Sequence, residues 1–345
     1  MDIDTFRSQP HWPRSLGEPE VNGQLRVGVE DFQVEEIPLL EPSGEGSHMW
    51  VQVEKRGANT DWVAGQLASK AACSVRDVGF AGMKDRHAVT TQWFSLPASK
   101  LEPEQWLVCD IPDVRVLKAV PHPKKLKRGV LRGNRFSLVV RGLEGNVKGL
   151  QERLEQLKTM GLPNYFGSQR FGHGGNNVRR AAHWLSVGGR LPRAKRSIYL
   201  SAARSFLFNE VLAERVRQDH WNALLDGEVV LLDGSHSVFV AALPDDELEQ
   251  RCAEFDLHPS GPLPGDSPFR PERVAAEFES SVLEPYTSLI DGLKNARVNG
   301  SRRSLRLRPN DLEWVLEKDH LAIRFSLPPG AYATTVIDEL VSTQN

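Results

Sequence analysis

The sequence predicts an α/β chain of the α+β kind: a mixed or antiparallel sheet interrupted by a mainly helical insertion. Three observations predict it. Segments with two-residue alternation crowd the first 140 or so residues and return after Gly300. Helical periodicity dominates between them. Several strand segments also follow one another directly, without the strand–helix alternation that a doubly wound parallel sheet requires.

Each element has its own signal. Residues 1–21 read as an irregular arm rich in proline and polar residues. Leu25 to Glu36 alternates as strand, with a turn at Val29-Glu30-Asp31. The loop SGEGS (43–47) precedes a strand from His48 to Glu54. Asn59 or Thr60 can cap a helix with Val63, Leu67 and Ala71 on its apolar face, since a short polar side chain accepts from the free first-turn amides. Val78 to Ala81 and Thr90 to Leu96 are strands around a polar turn, Gly82 to Ala88. Val114 to Val120 and Phe136 to Val140 are strands around a long basic loop. Leu150, Leu154 and Leu157 share one face of a helix that ends near Gly161. The character changes at Leu162, with the glycine-, asparagine- and aromatic-rich run PNYFGSQRFGHGGNN. Helices follow at Asn177 to Leu185, Ser197 to Gln218, Asp245 to Phe255 and Val274 to Leu293. A hairpin is expected at Val229 to Ala241 and a Pro/Gly break at Gly261 to Pro271. Strands return at Leu305 to Leu307 and Leu321 to Leu327, and a helix after Gly330 runs to Val341.

Composition narrows the class. At 345 residues, 40% hydrophobic and 26% charged, the chain is an ordinary soluble one with room for two cores. No apolar run approaches the roughly 18 residues of a membrane span. The first residues carry no apolar segment of the secretory kind, so a cytoplasmic location is expected, as a monomer. Cys73, Cys109 and Cys252 are far apart and odd in number, which argues against a disulfide framework or a CxxC metal site. No phosphate-loop, HExxH or GxSxG motif with triad support is present, and GHGGNN (172–177) is a poor dinucleotide fingerprint, so no cofactor or metal is expected.

Net charge is −2, but its distribution is uneven. From Val114 to Leu143 there is no acidic residue, while the window holds nine Lys or Arg. Its centre, PKKLKRGVLRGNRF, includes Lys124, Lys125, Lys127, Arg128 and Arg132. Cations at this density repel one another, and a phosphate backbone is their natural counter-ion. Weaker basic clusters lie at Arg179 to Arg196 and at Arg302 to Arg308. In the turn GMKDRHA, Asp85 sits between Lys84 and Arg86, cations that favour its charged form. An ionised Asp at a strand end can act as nucleophile or base, though aspartate is also common in inert turns. Aromatics near the basic residues, Phe32, Phe136 and Tyr332 among them, suit unstacked bases. Taken alone, these residues reach an RNA-binding α/β protein. A non-catalytic tRNA-binding protein and an RNA hydrolase using Asp85 and His87 both stay open.

FAGMKDRHAVTTQWFSL (80–96), LRGNRF (131–136), PNYFGSQRFGHGGNN (163–177), LSAARSFLFN (200–209) and LPPGAYATTVIDEL (327–340) resemble the bacterial tRNA pseudouridine synthase D (TruD) family, in order along nearly the whole chain. LRVGVEDFQVEEI (25–37) matches in style. The resemblance implies a pseudouridine synthase fold. Residues 1–159 and 307–345 would form the catalytic domain, and 160–306 the inserted one. It implies isomerisation of uridine 13 of tRNA without cofactor, after the target base is flipped from its stack. Asp85 falls on the family's catalytic aspartate. Phe32, Asn134 and Tyr332 fall on its substrate contacts, and Phe136 is the ring expected against the base. Arg26 is the candidate partner of Asp85, and Lys84 with the basic loop is expected to meet the RNA backbone. Two positions depart from the common pattern: Arg26 stands where Lys is usual and Tyr332 where Phe is usual, keeping charge and ring.

Overall fold

A computed structural model describes residues 11–98, 101–235, 237–266 and 270–343. The first ten residues of the expected arm and residues 267–269 of the expected Pro/Gly break lie outside it. The chain forms two compact units. A sheet-rich unit takes Glu20–Gln151, Pro309–Gly330 and the residues from Val341 on. A helix-rich unit takes residues 11–19, Glu152–Arg308 and Ala331–Leu340.

The chain opens with β1 (Val21–Leu25), β2 (Phe32–Pro38), β3 (His48–Arg56), α1 (Thr60–Lys70), β4 (Gly79–Phe80), β5 (Val89–Pro97), α2 (Pro103–Leu107), β6 (Val114–His122), β7 (Leu131–Gly145) and α3 (Val147–Met160). Next come β8 (Leu162–Pro163), α4 (Asn176–Val187), α5 (Arg193–Arg217), β9 (Glu228–Leu232), β10 (Val238–Ala241), α6 (Asp246–Ala253), β11 (Leu257–Leu263), α7 (Arg273–Leu283), α8 (Thr287–Asn295), β12 (Ser301–Ser304) and β13 (Arg306–Leu307). The chain ends with β14 (Asn310–Leu316), β15 (His320–Leu327), α9 (Ala333–Leu340) and β16 (Ser342–Thr343).

In the sheet-rich unit the strand order is β14-β15-β7-β2-β5-β3-β6, with β1 beside β7 and β16, and β4 beside β5. The sheet is mixed: β2–β5 and β1–β16 are parallel and the other pairs antiparallel. Alternation decides what each face carries. On β3, Met49, Val51 and Val53 point inward and join Val63, Ala64 and Leu67 of α1, with Phe94 and Trp106, in one apolar core. Lys55 is the next residue in that inward phase and is 0% exposed. On β2 the inward phase runs Phe32, Val34, Glu36.

In the helix-rich unit α4, α5 and α8 enclose Phe166, Phe206, Phe208, Leu212, Leu289 and Leu293. Two sequence motifs lock together here. Asn209, at the end of LSAARSFLFN, accepts from Phe166 N at 2.9 Å and donates to Phe166 O at 3.0 Å. The buried pair Arg215–Glu228 ties α5 to β9.

Three expectations are corrected. The helix expected over Val274 to Leu293 is broken into α7 and α8 around Pro285, which has no amide to continue the ladder. LRGNRF is strand rather than loop, because β7 begins at Leu131 and pairs with both β2 and β15. Leu257–Leu263 and Asn310–Leu316 are strands too. The first was masked by Pro259, Gly261 and Pro262, yet Pro259 still pairs with Val230, and tertiary pairing overrides the local signal.

Candidate active site on the sheet-rich unit

Strand register assembles the site. Across the sheet, Phe325, Phe136, Val34, Thr90, Lys55 and Val114 stand in one row of paired residues. Paired residues share a face, so Lys55 of β3 and Phe136 of β7 lie on the same side. Asn134 pairs with Glu36 and Leu327 on that side too. Phe136 is 7% exposed, edge-on to Phe32 at 6.4 Å and tilted against Phe325 at 5.5 Å.

The segment between β1 and β2 brings in Arg26. It bends at Arg26, whose φ of 65° is left-handed, and closes in a short 3-10 turn over Val29–Asp31. Asp31 fixes that turn: it accepts from Gly28 N at 2.9 Å and takes a forked contact from Arg141 at 2.7 to 3.1 Å. The Arg141 hydrogen bonds hold the Asp31 carboxyl below the usual carboxylate range. The Arg26 guanidinium lies 4.0 Å from the centre of the Phe32 ring and its Nη2 is 3.2 Å from Asp85 Oδ2. Both charged side chains keep access to solvent, 31% for Arg26 and 39% for Asp85. Ring and carboxylate together hold the guanidinium in one orientation.

The turn that carries Asp85 is held on every side. Lys84 N donates to Thr60 Oγ1 at 3.0 Å, Thr60 Oγ1 donates to Gln92 Oε1 at 3.2 Å, and Gln92 Nε2 donates to Gly82 O at 3.0 Å. Lys84 Nζ meets Glu36 Oε2 at 2.8 Å, while Glu36 Oε1 accepts from Trp93 N at 3.3 Å. Lys55 Nζ donates to the Asp85 carbonyl at 2.7 Å. Buried polar groups are tolerated because each is paired, and a satisfied network of this kind is rigid.

Among the residues marked by sequence, Arg26, Phe32, Asp85 and Phe136 come together, and Asn134 lies on the same sheet face. The Asn134 Oδ1 and Arg26 Nε atoms are buried with no hydrogen-bond partner among the described residues. Lys84 is placed differently from a backbone-phosphate contact: its side chain is 5% exposed and its charge is matched by Glu36. Lys124, Lys125, Lys127, Arg128 and Arg132 are exposed. Arg132 stands at the start of β7, and the loop that carries the other four is ordered beside the Asp85 turn, with Gly129 N donating to Ala81 O at 2.8 Å, Leu126 N to Ser95 Oγ at 2.8 Å and Trp50 Nε1 to Lys124 O at 2.8 Å. Arg128 lies over the Phe80 ring at 3.7 Å. His87 is exposed. Tyr332 belongs to the helix-rich unit. There its hydroxyl accepts from Arg170 Nε at 3.0 Å, and its ring lies so close to Gly167 that an added Cβ would stand 3.0 Å from it. In that unit Arg302 meets Glu279, Arg306 donates to Cys252 O and Arg303 lies over Phe166. That basic cluster is therefore largely internal.

Sequence reading passed over Lys55, Glu36, Thr60 and Gln92. A signal existed for two of them. Lys55 and Glu36 occupy the phase of their strands that is otherwise apolar, where a charge is costly unless it is used.

The comparisons with known proteins agree along the chain. A family model described as tRNA pseudouridine synthase D (TruD) matches residues 14–185 and 176–340. A protein named tRNA pseudouridine synthase D from Nitrosococcus oceani is 48% identical over 332 residues, covering 94% of this chain and 92% of its own. One of the same name from Methylococcus capsulatus is 44% identical over 332 residues, covering 95% and 94%. A crystal structure of a Methanosarcina mazei chain described by the same family name superposes with a TM-score of 0.73 at 20% identity, over 99% of this chain and 98% of that one, and so shares the fold. With its mixed sheet, its ordered GMKDRHA turn and relatives matched end to end, the chain has the pseudouridine synthase fold and belongs to the tRNA pseudouridine synthase D family.

Proposed function

We propose that this chain isomerises uridine 13 of tRNA to pseudouridine, with Asp85 as its catalytic carboxylate. The observation that carries the reading is the Arg26–Asp85 pair: a solvent-accessible carboxylate oriented by a guanidinium that is itself laid on Phe32. The reaction breaks the C1′–N1 bond, turns the base and joins C5 to C1′. N1 gains a proton and C5 loses one, so product and substrate are isomers and no redox partner or group donor enters the balance. Asp85 acts as nucleophile at the ribose C1′. The target leaves its stack to reach it. Phe136 forms the floor beneath the base. The uracil edge, which offers an N–H donor and carbonyl acceptors, is matched to Asn134 Oδ1 and Arg26 Nε. Lys124, Lys125, Lys127, Arg128 and Arg132 hold tRNA phosphates. Tyr332 is proposed as a further substrate contact. In this reading residues 1–159 and 307–345 are the catalytic domain and 160–306 the inserted one. Among the described residues no helix is long and apolar enough to cross a membrane. The proposed setting is the cytoplasm, with tRNA as the partner of a monomer.

Asp85→Asn keeps the size of the side chain and removes its charge. The expected result is loss of pseudouridine formation on tRNA carrying the target uridine by about 10³-fold or more, with tRNA affinity little changed. Retained turnover refutes the role of Asp85, and pseudouridine at another position refutes the choice of uridine. Arg26→Met is expected to cut kcat far more than affinity. Equal losses would make Arg26 a phosphate contact.

A further inference from the structure

Lys55 is a fully buried cation that the mechanism above leaves unused. It is 0% exposed and follows Met49, Val51 and Val53 in the inward phase of β3. A leucine or methionine would fill that volume without the cost of taking an ammonium out of water. What the lysine adds is a donor at one place: Nζ lies 2.7 Å from the backbone carbonyl of Asp85. We infer that Lys55 is a positioning residue, whose ammonium anchors the Asp85 carbonyl and so fixes the carboxylate against Arg26. The inference rests on the role of Asp85 proposed above.

The surroundings agree with this role. The charged groups facing Lys55 both come from the turn, Asp85 attracting and Lys84 repelling, with Glu36 of β2 balancing Lys84. The flanking strands place Thr90 and Val114 at the paired positions, and neither titrates. Of the other hydrogen bonds on the turn, those on Gly82 O, Lys84 N and Lys84 Nζ lie ahead of Asp85 and that from Gly57 N to Ala88 O lies behind it. Lys55 grips Asp85 itself, so its loss frees the residue that matters most. Burial lowers the Lys55 ammonium to about 8. It is therefore charged at neutral pH and loses its proton as pH rises through about 8, which weakens the anchor on the alkaline side.

The test compares the parent chain with Lys55→Met, which keeps length but has no donor, and Lys55→Gln, which has a donor but no charge. kcat and KM for pseudouridine formation are followed from about pH 6 to about pH 9.5. Amide hydrogen exchange over Arg86 to Ala88 is measured on the same proteins. The parent kcat is expected to fall above about pH 8. Lys55→Met is expected to lose about 100-fold in kcat, with KM within about threefold and no alkaline limb, and Lys55→Gln to lie between. Exchange of those amides is expected to rise by about tenfold in Lys55→Met while the rest of the sheet is unchanged. A folded Lys55→Met with parental kcat and the same alkaline limb overturns the inference. So does a parent kcat that stays flat through about pH 9.5, a result that decides the matter even where Lys55→Met fails to fold. A parent chain that makes no pseudouridine in any tRNA refutes the reading of Asp85 instead, and hydrogen exchange then decides the anchor alone.

Discussion

At the scale of the residue, what the structure gives the proposed site is orientation. Arg26 sits in a left-handed conformation that costs a non-glycine residue about 1 kcal/mol or more. The cost is offset by contacts on two sides of the guanidinium, the Phe32 ring at 4.0 Å and Asp85 at 3.2 Å. Phe32 is 1% exposed, and in the proposed reading its part is to hold Arg26 rather than to meet a ligand directly. Replacing Phe32 by Leu keeps the site apolar and removes the π face, a loss of about 1 to 2 kcal/mol in holding the guanidinium. The expected effect on kcat is a drop of roughly tenfold. In an Arg26→Met background the same change should cost far less, because there is no guanidinium left to orient. A double-mutant cycle on kcat measures this, and strict additivity would separate the two residues.

At the scale of the element, β7 is the strand on which the site depends. It pairs with β15 on one side and β2 on the other, and it carries Asn134 and Phe136. Its approach to β15 is close at Gly133, where an added Cβ would stand 2.4 Å from the Leu327 carbonyl oxygen. The glycine of LRGNRF is thus required by backbone contact within the sheet. Gly133→Ala must push β15 away or twist β7, at about 1 to 3 kcal/mol, and either movement shifts Asn134, the next residue. Urea unfolding should show the loss of stability, and the variant should lose activity by more than its unfolded fraction explains. Unchanged unfolding would mean that β15 yields freely. The turn between β1 and β2 is guarded differently, by the forked Asp31–Arg141 contact that fixes where Arg26 leaves the chain.

At the scale of the whole molecule, a net charge of −2 hides separation. The window Val114 to Leu143 carries no acid; Lys124, Lys125, Lys127 and Arg128 are exposed on an ordered loop beside the Asp85 turn, and Arg132 is exposed at the start of β7. Arg135 and Arg141 of the same window are matched by Glu35 and Asp31. Arg115 and Lys118 of β6 are exposed as well, so the loop carries the densest part of the field rather than all of it. Replacing Lys124, Lys127 and Arg128 together by Gln should weaken tRNA binding and lower the slope of log affinity against log salt by about 2 to 3. Folding should be little affected, since the loop is held by its backbone, Leu126 and Gly129, with only the Arg128 contact on Phe80 lost. Titrations at several salt concentrations measure the slope, and an unchanged slope would place the RNA elsewhere.

What the sequence by itself determined is what is local. Alternation located most strands of the sheet, 3.6-residue periodicity located most helices, and the linear motifs carried the family. Asp85, Phe32, Asn134 and Phe136 were all legible, because each lies in a motif that can be read in one dimension. Pairing was not legible. That Phe136, Val34, Thr90 and Lys55 stand in one row depends on four strands from distant parts of the chain meeting in register, and alternation gives a residue's phase but not its neighbour. For the same reason Lys84, which reads as a surface cation beside Asp85, is an internal partner of Glu36. Lys55, which follows an apolar strand, reaches the carbonyl of the residue in question. The sequence reading passed over Lys55 and Glu36, although both fall in the otherwise apolar phase of their strands. Only the tertiary structure decided what they are for, because a buried charge takes its role from the group it meets.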